Sequence, residues 1–330
     1  MAAQRWIAGK YELLEPVGQG GMAKVWRGVT HGAAGFTCRV AIKRVLPKLA
    51  ADAAMVAMFV EEARVVSGLS HPNIVQVHDF DQDDEGRYFI VMEWVDGLDL
   101  GAWIASHGGS PTPWHLVAAI GVEILRGLAS AHERVDGAGR PAPVIHRDIS
   151  PSNVLLARLG VVKLADFGLA RAADRAAMTQ PGIVKGKLSY LAPELLHGQP
   201  ATVRSDLFGV GIVLWEALAG RTLFASDDTA EVLRRVTSCE VPSLKGLRPD
   251  LPAPLAEVVH TALEKSPSER FESAAEMQRA LASILRNHTE PSDDRAIARS
   301  VEAALARLPS RDPDADLDPA APTDPGRARR

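Results

Sequence analysis

Asp148, Asn153 and Asp166 are the residues with most chemistry to offer in this 330-residue chain. They lie in His146-Arg147-Asp148-Ile149-Ser150-Pro151-Ser152-Asn153 and in Asp166-Phe167-Gly168. A carboxylate, then an amide, then a second carboxylate, in that order, suits the handling of a phosphate donor. Phosphoryl transfer asks little covalent help of a protein; it asks for a divalent metal, a positioned hydroxyl and cations on the phosphates. Asp148 can accept the hydroxyl proton. Asn153 and Asp166 offer oxygens to Mg²⁺, a hard cation that uses one or two protein ligands alongside phosphate oxygens.

Upstream, Val17-Gly18-Gln19-Gly20-Gly21-Met22-Ala23-Lys24-Val25 is a glycine-rich turn whose backbone N–H groups can cover phosphates. Such a loop is weak evidence alone, but its usual rivals fail. No Gly-Lys-Ser/Thr follows, and Val25-Trp26-Arg27-Gly28-Val29 reads as a strand rather than the helix of a dinucleotide site. In Val40-Ala41-Ile42-Lys43, strand alternation puts Ala41 and Lys43 on one face, roughly 7 Å apart. That separation suits a nucleobase over Ala41 and phosphates at Lys43.

With these motifs in order, the chain resembles the protein-kinase family, specifically the bacterial eukaryotic-like (Hanks-type) serine/threonine kinases, from about Tyr11 to about Leu285. The resemblance implies an α+β, two-lobed protein-kinase fold: a small antiparallel-sheet N-lobe with one main helix, and a larger helical C-lobe. It also implies ATP as donor, Mg²⁺ as cofactor, and protein substrates with Ser/Thr acceptors. Lys43 is then expected to hold the donor's phosphates and to pair with a glutamate on the following helix. Helix phasing barely separates Glu61 from Glu62; the family pattern, Glu followed by Ala, selects Glu62.

The same resemblance makes Glu93-Trp94-Val95-Asp96-Gly97 the hinge, with the backbone of Glu93 and Val95 meeting the adenine. Met92 becomes the gatekeeper, Asp99 a ribose partner, and Leu155 a further nucleotide contact. Asp206, an acid inside the apolar run Val203–Gly220, would be costly without hydrogen bonds, and the resemblance implies that it finds them by clamping the catalytic-loop backbone. Glu194 of Ala192-Pro193-Glu194 should pair with Arg270, and His146 should pack beneath the loop.

Three departures from the family pattern bear on activity. Ala23 replaces the third glycine of the phosphate loop, which matters only if that position needs a left-handed backbone. Ser150 stands where a lysine usually serves the γ-phosphate, and Lys187 stands where a threonine usually bonds the catalytic carboxylate. The hydroxyl and the ammonium have traded places, so Lys187 is expected to supply the missing cation through its long stem. Arg147 beside Asp148 marks the subclass whose activation loop is ordered by phosphate–arginine contacts. Thr179 is the only hydroxyl residue between Gly168 and Lys187, hence the leading autophosphorylation site, with Ser189 a distant second.

Around this core, residues 1–10 read as an N-terminal extension and 11–287 as the kinase domain, with an N-lobe to about 95 and a C-lobe from about 98. Residues 288–308 carry Ile297, Val301, Ala304, Leu305 and Leu308 on one stripe, the pattern of a short amphipathic helix that docks on the kinase surface. Residues 309–330, rich in Pro, Asp, Ala and Arg, are expected to be disordered. Strands are expected over Ile74–Phe80 and Tyr88–Val95, with a helix near 51–69.

Composition narrows the rest. Hydrophobic residues make up 46% and charged residues 24%, an ordinary globular balance, and the net charge of −4 gives no footprint for nucleic acid. The longest apolar run, Leu207–Ala219, is too short to span a bilayer and no leader is evident, so the expectation is a cytoplasmic protein without a membrane segment, served by an unknown regulatory partner. Cys38 is expected as a small core residue, and the ten histidines show no metal-ligand spacing. Two alternatives remain: a nucleotide-binding pseudokinase scaffold, against which the intact Lys43, Asp148, Asn153 and Asp166 argue and which Ser150 mildly favours, and a small-molecule kinase, against which Glu194, Asp206 and Arg270 argue.

Overall fold

The computed structural model describes residues 5–167, 188–286 and 288–308. Gly168, Thr179, Lys187 and the tail read as disordered (309–330) lie outside the described residues.

Strands β1 (Arg5–Ile7), β2 (Tyr11–Gln19), β3 (Ala23–His31), β4 (Thr37–Val45), β5 (Val77–Gln82) and β6 (Tyr88–Glu93) form an antiparallel sheet in the order β1-β2-β3-β4-β6-β5. Period-two alternation sorts its faces. Val40 and Ile42 pack with Tyr11, Leu13, Phe89 and Val91, whereas Val45, Ala23 and Ile90 pack with Phe59 and Ala63 of helix α1 (Ala53–Ser67). Lys43 shares the face of Val45, so the sheet points its ammonium towards α1 rather than into the opposite apolar layer. Asp52 starts that helix, its carboxylate accepting from the N–H groups of Ala54 and Met55.

The sheet begins earlier than expected. Residues before Tyr11 supply β1, and Ile7 is buried in the same layer as Tyr11. Ile74 falls outside the expected Ile74–Phe80 strand, making only a single bridge to Leu164. Cys38 corrects another expectation: it lies on β4 but is exposed, because the pattern of burial on that strand starts only at Val40.

Strand β7 (Gly97–Asp99), helix α2 (Leu100–Ala105) and helix α3 (Trp114–His132) open the second lobe. Strands β8 (Val154–Ala157) and β9 (Val162–Leu164) complete a small antiparallel sheet ordered β7-β8-β9. Then come α4 (Pro193–Leu196), α5 (Val203–Ala219), α6 (Thr229–Ser238), α7 (Leu244–Leu247), α8 (Ala253–Ala262), α9 (Ala274–Arg286) and α10 (Asp294–Arg307). Helix α5 is buried on nearly every side, which explains its lack of a polar face. A Thr202–Ser205 capping box starts it and Gly220, at φ 67°, ends it. Helix α3 has the length and apolarity of a membrane span, yet its apolar residues form the core of this lobe with α5 and α9.

Helix α10 buries Ile297, Val301 and Ala304 against that core, where each larger side chain gains ~1.5–3 kcal/mol over exposure. Ser300 Oγ accepts from Trp103 Nε1 at 2.9 Å, and Arg158 reaches Glu302 at 2.8 Å. At Gly160 (φ +86°) an added Cβ would stand 1.8 Å from the Asp294 carbonyl oxygen. Gly160→Ala should therefore cost about 1–3 kcal/mol in backbone strain and lift the start of α10. Urea unfolding and amide exchange across Asp294–Arg307 check this; unchanged protection there would show that the approach is not needed.

Candidate active site

Lys43 is the centre of the cleft. Its Nζ donates to Glu62 Oε1 at 2.7 Å and to Asp166 Oδ1 at 2.9 Å, joining β4, α1 and the segment after β9. Burial works against the ammonium, but the charges of Asp166 and Glu62 outweigh it and raise the Lys43 pKa, so the cation persists. Glu61, one position earlier, is exposed and pairs with Arg64, which resolves the choice that helix phasing left open. Asp166 has φ 55°, a left-handed conformation unusual for a non-glycine residue and typical of places where a side chain is aimed rather than relaxed.

Beneath it lies a packed column. Phe167 is buried against the His146 ring at 4.4 Å between centroids, and both backbone N–H groups of His146 and Arg147 donate to Asp206 at 2.8 Å. A carboxylate only accepts, so His132 Nε2 also donates to Asp206, at 2.8 Å. Three donors thus offset the desolvation of an acid held inside α5. Arg147 has φ 68°, and the clamp fixes the sharp turn that leads to Asp148. Asn153 Nδ2 donates to the Asp148 carbonyl at 2.8 Å, which fixes the amide plane and makes Oδ1 the atom that could accept a cation.

His146 is neutral on geometry as well as by burial. Its Nδ1 accepts from the Asp148 N–H at 3.3 Å, while Nε2–H donates to the Ala165 carbonyl at 3.1 Å. Burial lowers its pKa despite the nearby charges of Asp206 and Asp148. A histidine with a depressed folded pKa contributes stability above its ordinary value near 6.5 that is lost as pH falls. Thermal unfolding should accordingly occur at lower temperature at pH 5 than at pH 7; a flat profile would contradict a buried neutral His146.

The glycine-rich turn expected to cover phosphates lies between β2 and β3, closed by a Gly20 N–H to Ala23 carbonyl bond of 2.9 Å. Ala23 is buried in extended backbone outside the left-handed region, so its methyl group costs the loop nothing. Among the described residues, none beyond its chain neighbours lies within 4 Å of where a Gly18 Cβ would stand. That room, with the Lys43 cation and the Asn153 and Asp166 oxygens, fits a metal-bound polyphosphate. The remaining residues assigned to the loop, Val17, Gln19, Gly21, Met22, Lys24 and Val25, occupy the same hairpin.

Ala41 lies opposite Met92 on β6, and a small apolar recess behind Met92 is lined by Val66, Val77, Leu164 and Phe167. Leu155 pairs with Asp99 across β7 and β8. Asp99 Oδ1 accepts from the Ala102 N–H at 2.9 Å, so this side chain also starts α2. Glu93 Oε1 accepts from Lys163 at 2.6 Å and from the Gln76 N–H at 2.9 Å, while the Glu93 N–H donates to the Gln76 carbonyl at 2.9 Å. Val95 follows in the strand-to-β7 connection.

On the substrate side, Arg270 makes two hydrogen bonds to Glu194, at 2.9 and 2.8 Å, under the segment that follows Tyr190. Ser189 is 2% exposed, which withdraws its hydroxyl from easy phosphorylation. Ser150 is buried too, its Oγ 3.0 Å from Ser152 Oγ, and it brings a hydroxyl rather than a charge to the loop. Sequence reasoning missed His132 on Asp206 and the 2.8 Å bond from Tyr190 to Glu216. No spacing rule could have found either, because both contacts join distant elements.

The model for the protein kinase domain matches residues 11–282. Among curated proteins, the chain is 38% identical to the tyrosine-protein kinase MasK of Myxococcus xanthus, over 85% of this chain and 44% of that one. It is 34% identical to the serine/threonine-protein kinase PrkC of Bacillus subtilis, over 82% and 40%. With the serine/threonine-protein kinase PknA of Mycobacterium tuberculosis it shares 32%, over 91% and 67%. The chain thus spans less than half the length of the first two. The crystal structure of the Mycobacterium tuberculosis PknI kinase domain superposes with a TM-score of 0.64 at 30% identity, covering 86% of this chain and 99% of that one.

Proposed function

The chain belongs to the protein kinase domain family, and from that premise we propose that it transfers the γ-phosphoryl group of ATP to serine and threonine hydroxyls of protein substrates. One observation carries the reading: Lys43 Nζ bridges Glu62 and Asp166 at 2.7 and 2.9 Å. This assembles the donor side of the site, which a scaffold has no need to keep. Lys43 positions the phosphates, and Asp148 orients the acceptor hydroxyl and takes its proton. Asn153 and Asp166 would hold Mg²⁺, which neutralises phosphate charge when bound. The Glu194–Arg270 pair and the Asp206 clamp fix the platform on which an extended peptide would lie.

Ser150 leaves the γ-phosphate without its usual loop cation, and Lys187 is the residue proposed to supply it. Thr179 is the proposed site of self-phosphorylation, read by Arg147. The preference for serine and threonine rests on Ser150-Pro151-Ser152-Asn153, unlike the Ala-Ala-Arg-Asn style of tyrosine kinases, and on Tyr190. Tyrosine as acceptor is the second reading, because a 38% identical relative bears that activity in its name.

Incubation with γ-labelled ATP, followed by mapping of the phosphorylated residues, tests all of this. Label on Thr179 and on serine or threonine of a generic protein acceptor is expected. Lys187→Ala should lower turnover sharply while nucleotide binding stays intact; full turnover in that variant would sink the exchange with Ser150. Label confined to tyrosine would establish the second reading. No label with nucleotide still bound would make the chain a pseudokinase.

A further inference from the structure

The histidines look scattered along the sequence, yet the fold gathers two of them with a carboxylate at the start of α3. His115 lies in the first turn of α3, and His288 and Glu290 lie on the connection from α9 to α10. One ligand-capable atom from each residue stands within 4.8 Å of the other two. His115 Nε2 and Glu290 Oε2 are 3.5 Å apart. Two ligands at ~2.0–2.1 Å on a tetrahedral ion are separated by about 3.3 Å, so an ion between them needs little movement.

The surroundings point the same way. His288 Nε2 is buried and, among the described residues, has no hydrogen-bond partner, a costly state for a ring nitrogen unless something binds it. Its ring is held 4.3 Å from Trp114 and 5.0 Å from His115, centroid to centroid, so the two imidazoles are oriented by packing. The positive end of α3 disfavours a cation; the Glu290 carboxylate offsets it. That carboxylate is 65% exposed against 12% for His115, which leaves an open side for water as fourth ligand.

We propose that His115, His288 and Glu290 form a binding site for a borderline divalent ion of the zinc type, with water completing a tetrahedron. Two imidazoles and one carboxylate select Zn²⁺ over Mg²⁺, which prefers oxygen ligands alone. The ion would fasten the α9–α10 connection to α3. It would thereby seat α10, whose Glu302 holds Arg158, which in turn reaches Asp96 in the hinge at 3.4 Å.

Calorimetric titration of the untagged, chelator-stripped chain with ZnCl₂ in excess MgCl₂ tests this, with the visible spectrum of the Co²⁺-loaded chain as second readout. Wild type should take up one equivalent with a tetrahedral Co²⁺ spectrum and a higher melting temperature. His288→Ala should lose the equivalent, and Glu290→Gln, an exposed change that leaves the fold alone, should bind more weakly. No uptake by wild type would overturn the proposal. So would unchanged uptake in both variants, which would place the ion on other histidines.

Discussion

Asp148→Asn should slow phosphoryl transfer by about 10²–10⁴-fold, the range by which a positioned base contributes, while nucleotide affinity stays near that of wild type. The change removes the proton acceptor and keeps the shape. Asn153 is tied to the main-chain carbonyl of Asp148, and the loop itself is held by Asp206 through the N–H groups of His146 and Arg147. Neither support touches the Asp148 carboxylate, so the loop should survive the substitution. Initial rates and fluorescence titration with nucleotide separate the two effects. A drop smaller than about tenfold would mean that Asp148 is not the base; simultaneous loss of binding would mean that the loop had collapsed.

Arg270→Met should cost about 3–5 kcal/mol of stability, because it strands a buried carboxylate. The Arg270 side chain is 0% exposed and that of Glu194 5%, and Ser205 gives Glu194 a further bond of 2.8 Å. Against a typical total of ~5–15 kcal/mol the loss is large. Pairing it with Glu194→Gln should return part of the cost, since the stranded charge is then gone. Burial alone would raise the Glu194 pKa, but the Arg270 hydrogen bonds and charge bring it below the ordinary carboxylate range. A depressed carboxylate contributes stability above its unfolded pKa that is lost as pH falls. The gap between wild type and Arg270→Met, read by urea unfolding, should therefore narrow in acid. A gap that stays constant with pH would show that packing, such as the Arg270 contact with Phe208, carries the effect.

Much of the site could be read from the chain because its parts are local. Asp148 and Asn153 share one loop, Ala41 and Lys43 share one strand face, and period-two alternation needs no tertiary knowledge. Glu62 was a different matter. Sequence periodicity left it level with Glu61 and the family pattern selected Glu62; the packing of α1 on β4, which turns Glu62 inward and Glu61 to solvent, supplies the physical reason. Cys38 was misjudged for a related reason: alternation identifies a strand but not where along it the neighbouring layer stops.

Residue order and type by themselves marked out the glycine-rich turn, the Asp148–Asn153 loop and the acid inside α5, and through the family resemblance the two lobes. They also identified Glu194 and Arg270 as a pair through the family resemblance. The tertiary structure alone decided which donors satisfy Asp206, including His132, that Ala23 needs no left-handed backbone, and that the residues before Tyr11 join the sheet. It alone brought His115 beside His288 and Glu290. The physical reason is common to all of these. Short-range periodicity and turn chemistry are written in neighbouring residues, whereas a contact between distant elements exists only once burial of their apolar faces has fixed how those elements pack.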